Sequence, residues 1–148
     1  MAIVALDTEY AWCAGFFDGE GNVGYRYSND GVRPYRSPAL VLQIAQTDLE
    51  VLERFKKAMG VGTIIGPYSH KTENSSDYWV YRANAYSDIQ HVILSMWPYL
   101  GSVKKLDTLR HVQSYLNDRQ FCPKGHNKQG MKRCSKCASD SAYKRWSK

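Results

Sequence analysis

Two groups of side chains in this 148-residue chain have the types and spacing to do chemistry. The first is a pair of acids, Asp18 and Glu20, at the C-terminal end of a predicted helix. That helix is capped at Asp7 or Thr8, runs through residues 9–18 and stops in Gly19-Glu20-Gly21, where glycine lets the chain leave the helical region. The dipole of a helix is already negative at this end, so two carboxylates there need a compensating partner. A divalent cation is the obvious one, because carboxylates with a few waters suit Mg²⁺. Taken alone, these residues also fit a core helix that ends in a glycine turn with solvated acids. On the same helix Ala11, Gly15 and Gly19 are spaced four apart and share one face. Small residues at that spacing let a second helix approach backbone to backbone.

The second group is Cys122, His126, Cys134 and Cys137, spaced C-x₃-H-x₇-C-x₂-C. Three thiols and an imidazole at short spacings suit a tetrahedral structural zinc site, and with all four positions filled it is not the pattern of a catalytic one. Pro123 and Gly125 fit the tight turn that the first pair needs. The stretch has too little apolar material to build a core of its own, so Zn²⁺ would replace one. A redox pair at Cys134 and Cys137, or a disordered basic tail, are the other readings. Cys13 stands apart and reads as a small packing residue.

The elements that must position these groups follow from hydrophobic period and turn chemistry. Residues 22–28 alternate as a strand, with Val23, Tyr25 and Tyr27 opposite Gly24, Arg26 and Ser28. Asn29-Asp30-Gly31 is a turn, and residues 39–46 form a second strand. Thr47-Asp48 caps a helix over 49–59, with Leu49, Leu52, Phe55 and Met59 on one face. Short strands are expected at 63–65 and 78–83. A helix opened by Ser87-Asp88 carries the stripe Ile89, Val92, Ile93 and Met96, and Pro98 breaks it. A last helix covers 103–116. The order α-β-β-α-β-β-α-α is an α+β domain with a small antiparallel sheet. Apolar periodicity stops after Asp118, which predicts a folded domain at 1–118 and a basic Cys/His tail at 119–148. Of the other histidines, His91 and His111 fall on helices as surface or packing residues, and His70 joins no constellation.

The segment Cys13-Ala-Gly-Phe-Phe-Asp-Gly-Glu-Gly21 resembles the LAGLIDADG motif of homing endonucleases. Further landmarks follow in the family's order: Leu42-Gln-Ile-Ala-Gln-Thr-Asp-Leu-Glu-Val-Leu52, Gly60-Val-Gly62, and Trp97-Pro-Tyr-Leu100 with Lys104 and Lys105 behind it. The likeness covers about residues 7–117, which makes 1–118 the endonuclease domain. The family's αββαββα core is the order read from periodicity. The resemblance implies a single-motif homodimer whose motif helices pack through Ala11, Gly15 and Gly19. It implies that Glu20 ligates Mg²⁺ with help from the Gly19 carbonyl, while Asp18 serves the helix end. It further implies that Gln46 positions water and that Lys104, or Lys105 given a spacing offset of about one residue, stands near the scissile phosphate. The sheet would enter the major groove, and strand alternation and loop position then nominate Arg26, Arg33, Arg36 and Gln43 as DNA contacts.

The charge of +6 suggests a polyanionic partner, and its distribution is uneven. Residues 120–148 hold eight Lys/Arg against the single acid Asp140, whereas residues 1–119 hold twelve basic and thirteen acidic residues. Tyr143-Lys-Arg-Trp146 adds groups suited to phosphate contact and base stacking. The tail is expected to extend a DNA footprint without cutting, a loose likeness to zinc modules appended to phage-type nucleases. No run approaches the length that spans a bilayer, and no secretory signal opens the chain. An intracellular protein is expected, without a membrane partner. The leading expectation is a site-specific double-strand DNA endonuclease with a pseudo-palindromic target, encoded within an intron or intervening element. An intron RNA maturase, or a non-cutting DNA-binding regulator on the same fold, are the alternatives.

Overall fold

The computed structural model describes residues 2–28, 37–69, 76–122, 124–131 and 134–139. Helix α1 spans Ala2–Glu20 and leads directly into strand β1, Gly21–Ser28. Strand β2 is Ser37–Gln46 and helix α2 is Leu49–Met59. Strands β3 and β4 are Thr63–Tyr68 and Tyr78–Ala83. Helix α3, Tyr86–Met96, passes through a 3₁₀ turn at Trp97–Tyr99 into helix α4, Ser102–Gln120. The order is the one read from the sequence, with several boundaries moved, among them the end of β3, which runs to Tyr68 rather than stopping at 65. Helix α1 begins at Ala2 rather than at Asp7 or Thr8, because the apolar run before Asp7 continues the helix. Helix α3 opens one residue before Ser87, with Ala85 as its cap and no side-chain cap bond. Helix α4 crosses residue 118 unbroken and ends at Gln120.

The four strands form one antiparallel sheet in the order β1-β2-β4-β3. Its inner face is apolar by strict alternation. Val23, Leu40, Leu42, Ile44, Tyr81 and Ala83 point into one core with Cys13, Ala14 and Phe17 of α1, Leu52, Phe55 and Met59 of α2, and Ile89, Val92 and Met96 of α3. Tyr115 brings α4 into the same core. Helix α2 is fixed at both ends as its sequence dictates. The Asp48 carboxylate accepts from the Glu50 amide, and Gly60 closes the helix at φ 71°. Tyr81 is fully buried, stands edge-on to Phe55 at 4.9 Å, and donates to the Val61 carbonyl at 2.9 Å. Gly62, at φ 86°, passes so close that a Cβ there would lie 2.5 Å from the Tyr81 oxygen.

Candidate functional site

Helix α1 buries Cys13, Ala14 and Phe17 and leaves Gly15, Gly19 and Glu20 exposed. A Cβ built on Gly15 or Gly19 meets nothing within 4 Å among the described residues. With Ala11 half-buried, the small-residue face is an open strip of helix backbone. On the other flank α1 is clamped to α2. Arg54 pairs with Glu9 through bonds of 2.7 and 3.1 Å and lies 3.8 Å above the Trp12 ring. The Arg54 hydrogen bond holds the Glu9 carboxyl below its ordinary value. Burial, with the Glu9 charge adding to it, pushes the Cys13 thiol up to about 12, so this cysteine packs as a neutral side chain.

The two acids at the end of α1 have different surroundings. The Asp18 carboxylate accepts from the Gly101 amide at 2.8 Å, at the cap position of α4. That bond sets it at the positive end of a second helix, which offsets its charge, while its other oxygen, Oδ1, is buried without a partner among the described residues. Glu20 is exposed and forms no hydrogen bond or ion pair among the described residues.

Neither Gly19 nor Gly21 takes a positive φ. Conformational freedom is therefore not why glycine stands at the end of α1. At Gly21 the reason is space, since a Cβ would lie 2.0 Å from the Phe17 ring. Only glycine lets β1 start directly beneath that ring.

Helix α4 supplies a second clasp. Lys104 donates to the Gly21 carbonyl at 2.6 Å and lies 5.4 Å from the Phe17 ring. Its neighbour Lys105 lies over Trp97 at 5.5 Å. Of the two lysines, Lys104 is the one bonded beside Glu20. Gln46 stands at the end of β2, two residues beyond Ile44, the partner of Gly21. Its side chain accepts from the Thr47 amide at 3.0 Å. Register thus brings Gln46, Glu20 and Lys104 to the same end of the sheet.

The outer face of the sheet carries a polar row that crosses all four strands. Asn22 pairs with Gln43, Gln43 with Arg82, and Arg82 with Thr63. Arg82 donates to the Gln43 side chain at 3.5 Å, and its Nε is buried without a partner among the described residues. Arg26 is exposed on β1. Arg33 and Arg36 lie outside the described residues. Sequence reasoning does not single out Asn22, Arg82 or Thr63. A signal for Arg82 exists, since Trp79, Tyr81 and Ala83 alternate against Val80 and Arg82.

The Cys/His residues come together as the spacing predicts. The ligand atoms of Cys122, His126, Cys134 and Cys137 all lie within 4.8 Å of one another. The Cys122 and Cys137 sulfurs are 3.7 Å apart, and His126 Nδ1 is 3.6 Å from Cys134 and 3.4 Å from Cys137. All four cysteines are free thiols, and Gly125 takes φ 77° in the turn between Cys122 and His126. His91 bonds the Met59 carbonyl at 3.0 Å and His111 faces Asp107 at 3.6 Å, both in packing roles. Residues 143–146 and His70 lie outside the described residues.

The fold is that of the LAGLIDADG homing endonucleases. The chain is similar to I-CvuI in complex with its target, at 18% identity and a TM-score of 0.59 over 79% of this chain and 73% of that one. It is similar to the homing endonuclease I-TnaI at 22% identity and a TM-score of 0.57, over 72% and 71% of the two chains. Against the LAGLIDADG meganuclease I-CpaMI bound to uncleaved DNA, identity is 21% and the TM-score 0.57, over 72% of this chain but only 36% of that one. No protein-family model and no curated protein matches the sequence. Among the described residues no helix is long and apolar enough to cross a membrane.

Proposed function

We propose that this chain is a metal-dependent, site-specific double-strand DNA endonuclease that works as a homodimer. One observation carries the reading. The open face of α1 at Ala11, Gly15 and Gly19 leads to Glu20, an exposed acid that makes no bond among the described residues, while Asp18 beside it is engaged by Gly101. A helix face without side chains is suited to a second copy of itself, and a two-fold contact there brings two Glu20 carboxylates together. The chain's span of about a third of I-CpaMI but most of I-CvuI is consistent with one fold unit per subunit.

The donor set fits a hard cation. Glu20 offers carboxylate oxygens, and the last turn of α1, with Gly19, offers carbonyls that lack intrahelical partners. Mg²⁺ bound there supplies water activation and stabilisation of the leaving oxygen in phosphodiester hydrolysis. The protein's own residues do the rest. Lys104 is tethered to the Gly21 carbonyl, where it places a positive charge for a phosphate beside Glu20. Gln46, at the same end of the sheet, offers an amide to orient water. The row Asn22, Gln43, Arg82 and Thr63 spans about 14 Å at the usual strand spacing, which matches a major groove about 12 Å wide. Arg26 extends that face along β1, and Arg33 and Arg36 of the connecting segment complete the nominated contacts. A C₂ dimer reading DNA in this way takes a pseudo-palindromic site.

The test is a cleavage selection on randomised or genomic DNA with Mg²⁺, sequencing the new ends, with EDTA and Glu20→Gln as controls. Discrete metal-dependent ends that vanish in Glu20→Gln support the nuclease. Cleavage unchanged by that substitution removes Glu20 from the chemistry. Tight binding without any ends favours a non-cutting DNA regulator or an RNA maturase.

A further inference from the structure

The nuclease reading leaves four residues unused. Cys122, His126, Cys134 and Cys137 take no part in the core, and their arrangement is more specific than proximity. An ion about 2.3 Å from sulfur and about 2.0–2.1 Å from nitrogen, with tetrahedral angles, requires ligand atoms about 3.5–3.8 Å apart. The separations of 3.7 and 3.6 Å fall in that range and 3.4 Å lies just under it, all four ligand atoms stand within 4.8 Å of one another, and the 3.7 Å between sulfurs is far beyond a disulfide's length of about 2.05 Å. The surroundings are those of a metal turn. The Cys137 amide points at the Cys134 sulfur at 3.4 Å, and residues 135–139 start a helix from Cys134. His126 faces the cluster through Nδ1, which leaves Nε2 for an outer partner.

The cluster is also bolted to the nuclease unit. Helix α4 runs unbroken to Gln120. Beyond it Phe121 bridges to Asn127, and the Lys128 amide donates to the Gln120 carbonyl at 2.8 Å. The Lys128 ammonium donates to the Asp118 carbonyl, and the Asp118 carboxylate accepts from the Tyr25 hydroxyl on β1. Strand β1 is an edge of the sheet and carries Arg26 on its outer face. A basic module is thus fixed at one edge of the sheet, with Lys124 and Lys136 exposed. It belongs to the stretch with eight basic residues against one acid. Its partner should be a polyanion that already lies on the sheet.

We infer that Cys122, His126, Cys134 and Cys137 bind one Zn²⁺ as three thiolates and a neutral imidazole, and that the ion locks this module against α4 and β1 as a rigid clamp on the DNA backbone flanking the sheet. The clamp rests on the nuclease reading; the metal site does not. Helix α4, with 19 residues, separates Glu20 from the module by about 28 Å, or on the order of eight base pairs along a duplex.

The full-length chain tests both parts. Metal analysis of protein purified without chelator should find one zinc per chain. Exchange with Co²⁺ should give the intense visible bands of a tetrahedral site with thiolate charge transfer. A chain without zinc, or a Co²⁺ form without those bands, overturns the metal site. Binding to duplex DNA is then read without Mg²⁺, so that cleavage plays no part, for the wild type, Cys134→Ser and the double variant Lys124→Gln/Lys136→Gln. The double variant should keep its zinc while the slope of log K against log salt becomes shallower by about 0.9 for each phosphate no longer neutralised. Footprint protection should shrink at the flanks and persist at the centre. Cys134→Ser should lose zinc and the same flanking protection. An unchanged slope and footprint in a zinc-loaded double variant overturns the clamp while leaving the nuclease reading standing. Zinc-loaded protein that binds no DNA overturns the clamp and the nuclease reading together.

Discussion

Helix α4 meets the end of α1 at its start and the Cys/His cluster at its other end, and the two are built on opposite logics. At its start, Gly101 and Lys104 clasp the end of α1 but leave Glu20 exposed, with no partner among the described residues. At its end, four soft ligands close on one another within a single chain. A structural site is closed because the ion replaces a core. A site that acts on a substrate must keep positions open for water, phosphate or a second subunit. The same contrast separates the two acids of α1. Asp18 is held by a helix N-terminus, and Glu20, two residues later, is exposed and forms no bond among the described residues.

The sharpest way to break this contrast is Glu20→Gln, which keeps the shape and removes the charge. Cleavage in a plasmid assay should fall by about 10³-fold or more, with DNA affinity in Ca²⁺ nearly unchanged. A fall in affinity of similar size would make Glu20 a binding residue. The next effect is on assembly. Gly15→Leu should abolish the dimer in light scattering while the monomer keeps the wild-type circular-dichroism spectrum, because a side chain there meets only open space within the chain. A dimer that survives the substitution would mean that this face is not the subunit contact.

Gly21→Ala probes the opposite case, a glycine with no room. A Cβ 2.0 Å from the Phe17 ring should cost about 1–3 kcal/mol of stability in denaturant titration. Asp18→Ala removes the carboxylate at the start of α4 and should cost about 1 kcal/mol. The smallest effect belongs to the exposed pair Glu9–Arg54. The Glu9 carboxyl titrates below its ordinary 4.5, so its contribution is present above that pH and lost as the pH falls through the lowered value. Glu9→Gln should therefore lower the melting temperature slightly above pH 4.5, where the pair contributes, and converge on wild type as the pH falls through the lowered value.

Periodicity alone makes the inner half of the molecule legible. The buried stripe of α3, the capped helix at 49–59 and the alternation of Leu40, Leu42 and Ile44 all stand where the hydrophobic pattern puts them. The start of α1 is harder to read because Asp7 looks like a cap, although the apolar residues before it continue the helix. The outer face is legible only in part. Strand alternation nominates Gln43, but the row it forms with Asn22, Arg82 and Thr63 depends on pairing between distant segments.

What the sequence determined by itself were the local facts. These are the small-residue face of α1, the two acids behind it, the Cys/His spacing and the concentration of positive charge after Gln120. Each is a matter of residue type and short spacing, which helix and turn geometry convert directly into proximity. Tertiary structure decided how those groups are partnered. Gly101, 83 residues from Asp18, bonds one oxygen of that acid, while Glu20 stays exposed. Lys104 reaches the end of α1 while Lys105 turns to Trp97. Tyr25 and Asp118, 93 residues apart, tie the Cys/His module to the sheet edge. No local pattern encodes these contacts, because they arise only when α4 folds back across β1 and buries Tyr115 in the common core.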